Sequence, residues 1–203
     1  IGLSATQRPL ETTARFLGGN GRPVTIVDAA AERELDVEVV VPADDMTAPV
    51  WPEIYPDILD VVAAHRSTIV FANSRRQAER ICSEVNALAG RELLRAHHGS
   101  VPREQRLEIE EGLKAGSLAG VVATSTLELG IDMGAVDLVV HVESPPSVAA
   151  GLQRVGRAGH HAGGVARARV YPKYRGDLLQ AAVVTRLMAA RTVEEIRLPE
   201  NPL

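Results

Sequence analysis

Aromatic side chains make up only 3% of the 203 residues, a single cysteine is present, and no apolar run approaches the length of a bilayer span. Each scarcity excludes something. With Cys82 alone, no internal disulfide and no multi-thiolate zinc site can form; the residue reads as a small apolar side chain on a helix, compatible with a reducing compartment. The longest apolar runs, such as Val37–Val41 and Leu138–Val142, are broken by charge or histidine and fall far short of the roughly 20 residues that cross a membrane. The opening Ile1-Gly2-Leu3-Ser4-Ala5-Thr6 has no basic region followed by an apolar one, so no signal peptide is expected and a cytoplasmic location is. It also lacks an initiator Met, which reads as a piece of a longer protein.

What is present fits one folded domain: 45% hydrophobic and 24% charged residues, enough chain for one α/β core with short appendages. A net charge of −4 argues against coating nucleic acid by bulk attraction, but the charge is uneven. Asp28–Asp60 holds ten acids against one base, whereas Gly151–Arg175 holds six bases (Arg154, Arg157, Arg167, Arg169, Lys173, Arg175) and no acid. Such a cluster can hold phosphate inside an acidic protein, because the field at the site decides. A solvated basic face is the plain alternative.

Gly18-Gly19-Asn20-Gly21-Arg22-Pro23 punctuates the chain as a loop closing Pro9–Arg22, followed by predicted strands at Val24–Val27 and Asp36–Val41. From there strands and helices alternate. Helices are expected at Ile54–His65, Arg75–Leu88, Arg103–Lys114, Ser147–Val155 and Asp177–Ala190, and strands at Thr68–Ala72, Leu93–Ala96, Gly120–Thr124, Asp137–Val142 and Val165–Tyr171. Strands apolar on both faces, separated by helices, predict an α/β fold with a parallel sheet covered on both sides. We divide the chain into a linker segment (1–22), the main domain (23–191) and an exit segment (192–203).

Ligands of open parallel sheets collect beyond the carboxyl ends of the strands. Four polar clusters stand there: Asn73-Ser74-Arg75, His97-His98-Gly99-Ser100, Thr124-Ser125-Thr126 and Glu143-Ser144. Hydroxyls, an arginine and a glycine at helix starts suit phosphate oxygens, although Ser and Thr there can equally be helix caps and Arg75 a surface residue. The paired histidines His97-His98 and His160-His161 do not make a metal site, since neighbours on an extended chain diverge and no His-x-x-x-His occurs. There is no Gly-Lys dipeptide and no Asp-Glu pair, so neither a Walker A loop nor its Mg²⁺-binding partner is present. A Rossmann-type dehydrogenase would need glycines after the first strand and an acid after the second, and neither is so placed.

Five of these segments resemble, in order, motifs of superfamily-two helicases. Ser4-Ala5-Thr6 resembles the linker motif; Thr68–Arg75 the fourth motif; Ala96–Ser100 the histidine-glycine motif; Ala123–Asp132 the fifth; and Gln153–His160 the sixth. Their wording, notably Glu-Leu-Gly-Ile-Asp and Gly-Arg-Ala-Gly-His, is most similar to the large helicase-related (Lhr) family. The resemblance implies a second RecA-like motor domain of a 3′ to 5′ helicase or translocase acting in nucleic-acid repair. Its missing phosphate cradle and Mg²⁺ ligands would lie in the first RecA-like domain of the same protein. Arg157 would be the arginine finger, with Gln153 and Arg154 near the γ-phosphate of ATP. Gly130 and Asp132 would contact the nucleotide. Asn73, Ser74, Arg75, His98, Gly99, Ser100, Thr124, Ser125 and Thr126 would grip single-stranded nucleic acid, read here as DNA, and Ser4, Ala5 and Thr6 would couple the two domains. His160 departs from the superfamily pattern, in which a further arginine is common. A binding module that keeps the fold without the motor is the alternative.

Overall fold

The computed structural model describes residues 1–4, 6–19, 21–28, 33–48, 50–128, 136–159 and 164–196. Strands β1 (Leu35–Val39), β2 (Thr68–Ala72), β3 (Leu94–His97), β4 (Gly120–Ala123), β5 (Leu138–Val142) and β6 (Ala166–Tyr171) form one sheet in the order β1-β6-β5-β2-β4-β3. Every pairing in it is parallel. Helices α1 (Leu10–Gly18), α2 (Trp51–Ala64), α3 (Arg75–Ala89), α4 (Arg103–Ala115), α5 (Val148–Val155) and α6 (Arg175–Ala189) complete the described elements, with a short 3₁₀ turn at Ser125–Leu127.

The strand pleat sorts the core into two layers. Val70, Ala72, Val122, Val140 and Val142 meet Ile54 and Ile58 of α2 and Ile81 and Val85 of α3 on one face. Ile69, Phe71, Val121, Ala123 and Val139 meet Ile109, Leu113, Val155, Val184 and Met188 of α4, α5 and α6 on the other. Both faces of β2, β4 and β5 are buried, which is why these strands read as unbroken apolar runs rather than alternating ones. Cys82 is buried on α3, where burial pushes its thiol up to about 12.

One expectation is corrected. Val24–Val27 is not a strand: Ile26 and Val27 are exposed, and the position beside β6 is taken by β1. Within Pro9–Arg22, to which no element was assigned from sequence, Leu10–Gly18 is helical. The two charge clusters also find each other. In the β1–β6 register Asp36 faces Arg167 and Glu38 faces Arg169, with ion pairs of 3.8 and 3.2 Å, and Lys173 pairs with Glu143. With Arg154 paired to Glu128 as well, at least four of the six bases in Gly151–Arg175 have carboxylate partners among the described residues, so bulk charge there does not mark a phosphate site.

Candidate nucleic-acid and nucleotide-facing site

The strand order sets β5, β2, β4 and β3 side by side, so the segments leaving their carboxyl ends form one continuous polar rim. Asn73, Ser74, Arg75, Gly99, Ser100 and Ser125 are exposed on it, and Thr124 and Thr126 are half-buried. Arg75 donates to the Ser100 hydroxyl, joining the end of β2 to the end of β3. A Cβ at Gly99 would meet nothing within 4 Å, so packing does not demand glycine there; the site is open to close approach from outside.

Several expected contacts instead turn inward. The Ser74 hydroxyl caps α3 by accepting from the Gln77 amide at 3.2 Å. His98 is buried; its Nδ1 accepts from the Ser100 amide at 3.3 Å, which leaves the proton on Nε2, 2.7 Å from Glu79. The Thr126 hydroxyl donates to the His97 carbonyl at 2.9 Å and therefore accepts from His97 Nδ1 at 2.8 Å. His97 Nε2 lies 3.0 Å from Glu110; burial lowers this histidine's pKa, and the Glu110 hydrogen bond offsets only part of that. These groups shape the rim from below.

Beneath the rim, Arg154 joins three of the motif segments. Expected beside the γ-phosphate, it is 3% exposed, with Nε and Nη2 at 2.7 and 2.6 Å from Glu128 Oε1 and Nη1 donating to Asn73 Oδ1 at 3.2 Å. Its guanidinium lies 5.0 Å from the centre of the Phe71 ring. Asn73 passes the connection on: its Nδ2 donates to the Ser144 carbonyl at 3.1 Å, and the Ser144 amide donates to the buried Asp177 at 2.9 Å. His141, on β5, stacks against Phe71 with ring centres 5.7 Å apart. It is fully buried, neither ring nitrogen has a partner among the described residues, and burial reinforced by the Arg154 charge pushes its pKa down to about 3. It is therefore neutral.

Gln153 and Arg157 lie further along. Gln153 Nε2 donates to Thr6 Oγ1 at 2.6 Å, bonding the linker motif to the sixth-motif helix. Arg157 follows α5 and is half-buried, its Nε 3.5 Å from the Gln153 carbonyl. The stretch that carries it is pinned to the chain entering β5: Val136 bridges Ala158, and the Gly159 amide donates to Val136 at 3.0 Å. Gly159 has φ +64°, and a Cβ there would fall 2.5 Å from the Val165 carbonyl oxygen, so only glycine fits. Ser4 is exposed; Ala5, Gly130, Asp132 and His160 lie outside the described residues. Three partners were missed from sequence: Glu128, Asp177 and Glu194, whose carboxylate binds the first amides of α5. Only Glu128, inside the fifth motif, carried any signal.

Along its whole length the chain is similar to known helicases. The profile of the helicase conserved C-terminal domain family matches residues 53–162. The chain is 48% identical to an Lhr helicase and probable uracil glycosylase of Mycolicibacterium smegmatis, covering 100% of the chain and 16% of that protein. It is 42% identical to the ATP-dependent helicase Lhr-Core of Saccharolobus solfataricus, covering 100% of the chain and 24% of that protein. The structure of Mycobacterium smegmatis helicase Lhr bound to ssDNA and AMP-PNP superposes with a TM-score of 0.94 at 53% identity, over 100% of this chain and 28% of that one. The chain thus spans about a quarter or less of the curated relatives it matches. It belongs to the helicase conserved C-terminal domain family, as a second RecA-like domain of the Lhr type.

Proposed function

We propose that this domain is the second motor half of an ATP-dependent helicase or translocase that tracks single-stranded DNA 3′ to 5′, and that it hydrolyses no ATP alone. The observation that carries the reading is the Arg154 node. It fastens the helix leading to Gln153 and Arg157 onto the fourth- and fifth-motif segments that form the rim, so strand contact and nucleotide chemistry share one rigid connection. The M. smegmatis relative that superposes on the chain was solved with ssDNA and AMP-PNP.

Arg157 is the arginine finger, placing a permanent, forked cation on the transferring phosphate when the domains close. Gln153 stands beside it near the γ-phosphate. A guanidinium and a carboxamide suit polyphosphate oxygens, and the pair offers no carboxylate for Mg²⁺, which we assign to the first RecA-like domain with its Walker motifs. Gly130 and Asp132 contact the nucleotide by resemblance. Arg154, with every nitrogen engaged, positions the others rather than touching phosphate. On the rim, Arg75, Gly99, Ser100, Thr124 and Ser125 meet the strand's phosphates, while Asn73, Ser74, His98 and Thr126 hold the turns that present them; such contacts position without reading sequence. Ser4, Ala5 and Thr6 couple the halves, and the protein works in the cytoplasm, in nucleic-acid repair.

The test is the ATPase rate of the intact protein with single-stranded DNA, single-stranded RNA or neither, beside that of the 203-residue chain. We expect stimulation, strongest by DNA, in the intact protein and none in the chain. Turnover by the chain that survives repurification refutes the half-engine reading, and an intact protein that DNA does not stimulate favours a binding module.

A further inference from the structure

The entry and exit of the chain meet across α5. Beyond α6, Thr192 bonds back to the Leu187 carbonyl at 2.9 Å, and the chain then runs to the amino end of α5. There the two oxygens of Glu194 accept from the first two amides of the helix, Val148 at 2.6 Å and Ala149 at 3.1 Å, while Ser147 accepts from Ala150 at 3.0 Å. A carboxylate is thus held at the positive end of the helix dipole by residues about 45 positions away. Burial by itself would raise its pKa, but the amides of Val148, Glu194 itself and Ala149 outweigh it and hold the group below the ordinary carboxylate value. Two residues on, the Ile196 amide donates to the Arg8 carbonyl at 2.7 Å. Arg8 is two residues past Thr6, which accepts from Gln153 on the same helix.

One short helix is therefore gripped at its start by the exit segment and near its end by the entry segment, and those segments are bonded to each other. We propose that residues 192–196 are a transmission strap and that Glu194 is a positioning residue for ATP hydrolysis, fixing where α5 sits along its axis and so where Gln153 and Arg157 stand in the cleft. A simple cap would stabilise α5 and do nothing else. The strap differs because it ties the helix to the linker. A displacement of about 1 Å at the reacting groups is enough to cost about a hundredfold in rate.

The inference rests on the motor reading, and the experiment separates the two. In the intact protein, Glu194→Ala and Glu194→Gln should lower the DNA-stimulated kcat by about tenfold or more, while KM for ATP and nucleotide-free binding to single-stranded DNA stay within about twofold. Glu194→Gln retains one acceptor oxygen and serves if the alanine variant folds poorly. Amide exchange at Val148 and Ala149 should quicken in both. Ser147→Ala removes the neighbouring cap without touching the strap and should leave kcat unchanged. If it lowers kcat as much as Glu194→Ala, the effect is generic loss of capping and the strap is wrong. Unchanged kcat in the Glu194 variants of a DNA-stimulated protein also overturns the strap alone. A wild-type protein that DNA does not stimulate removes the motor reading, and the strap with it.

Discussion

Replacing Glu128 by Ala removes the carboxylate that takes two of the three Arg154 nitrogens. The two side chains are 14% and 4% exposed, so water can do little for the guanidinium left behind. An exposed ion pair contributes about 0–1 kcal/mol, whereas breaking a buried one from one side costs about 3–5 kcal/mol. Asn73 and the Phe71 ring remain as partners for Arg154, which places Glu128→Ala near the middle of that range, at about 4 kcal/mol. For a domain of this size 1 kcal/mol corresponds to about 2–4 °C, so the midpoint of thermal unfolding should fall by about 10 °C. Urea unfolding of the 203-residue domain measures the free energy directly, and a cycle with Arg154→Met isolates the pair. The double variant, which leaves no orphaned charge, should be less destabilised than the sum of the singles by about 2 kcal/mol or more. A cost for Glu128→Ala below about 1 kcal/mol, or singles that add within about 0.5 kcal/mol, would show that the node behaves as a surface pair and would refute the reasoning.

Arg157→Ala in the intact protein should cut ATPase and strand displacement by about a thousandfold, with Arg157→Lys rescuing poorly for want of the fork, while nucleotide-free strand binding persists; ATPase and filter-binding assays on the same preparations decide this. Arg75→Ala should weaken binding to single-stranded DNA and lower its salt slope by about one ion, read from affinities across a salt series; an unchanged slope would make Arg75 a surface residue bonded to Ser100. His141 has a folded pKa near 3, below its ordinary 6.5. The unfolded state therefore binds the extra proton first, so the stability this residue contributes is complete above about pH 6.5 and is lost as pH falls toward about 3. His141→Phe should make stability fall less steeply with acid over that window, by up to about 1.4 kcal/mol per pH unit in chemical denaturation; parallel curves for the two proteins would mean that His141 is not held neutral.

Much of the scaffold was legible because its signals are local. Strand Thr68–Ala72 and the helix starts at Arg75 and Arg103 fall where the apolar runs and turn residues put them. Val24–Val27 has strand composition too, but a strand exists only beside another, and nothing in four residues says that β1 takes the place next to β6. Leu10–Gly18 was obscured by the glycines that follow it, and only Thr12 of the helix is buried, its Leu10, Phe16 and Leu17 remaining exposed. The rim was found from the ends of the strands. Which of its members bond inward was not, since the partners of Asn73, His98 and Thr126 are Arg154, Glu79 and His97, all brought near by the fold and not by sequence proximity. Glu194 had no sequence signal at all, because a cap supplied from another segment leaves no spacing to read.

The lone neighbour of β1 also sets an order of events. Leu35 stands opposite Ala166, so the first strand of the sheet can join only after the last has been synthesised and has docked on β5. The four strands between them can assemble earlier, through closer contacts that cost less chain entropy to form. During that interval Asp36 and Glu38 await Arg167 and Arg169, and the alternate residues Leu35, Val37 and Val39 have no sheet to cover them. The amino-terminal arm is thus the late-folding part of the domain, arriving on a nearly finished surface, and a nascent chain stopped before Ala166 would leave it exposed to other hydrophobic partners.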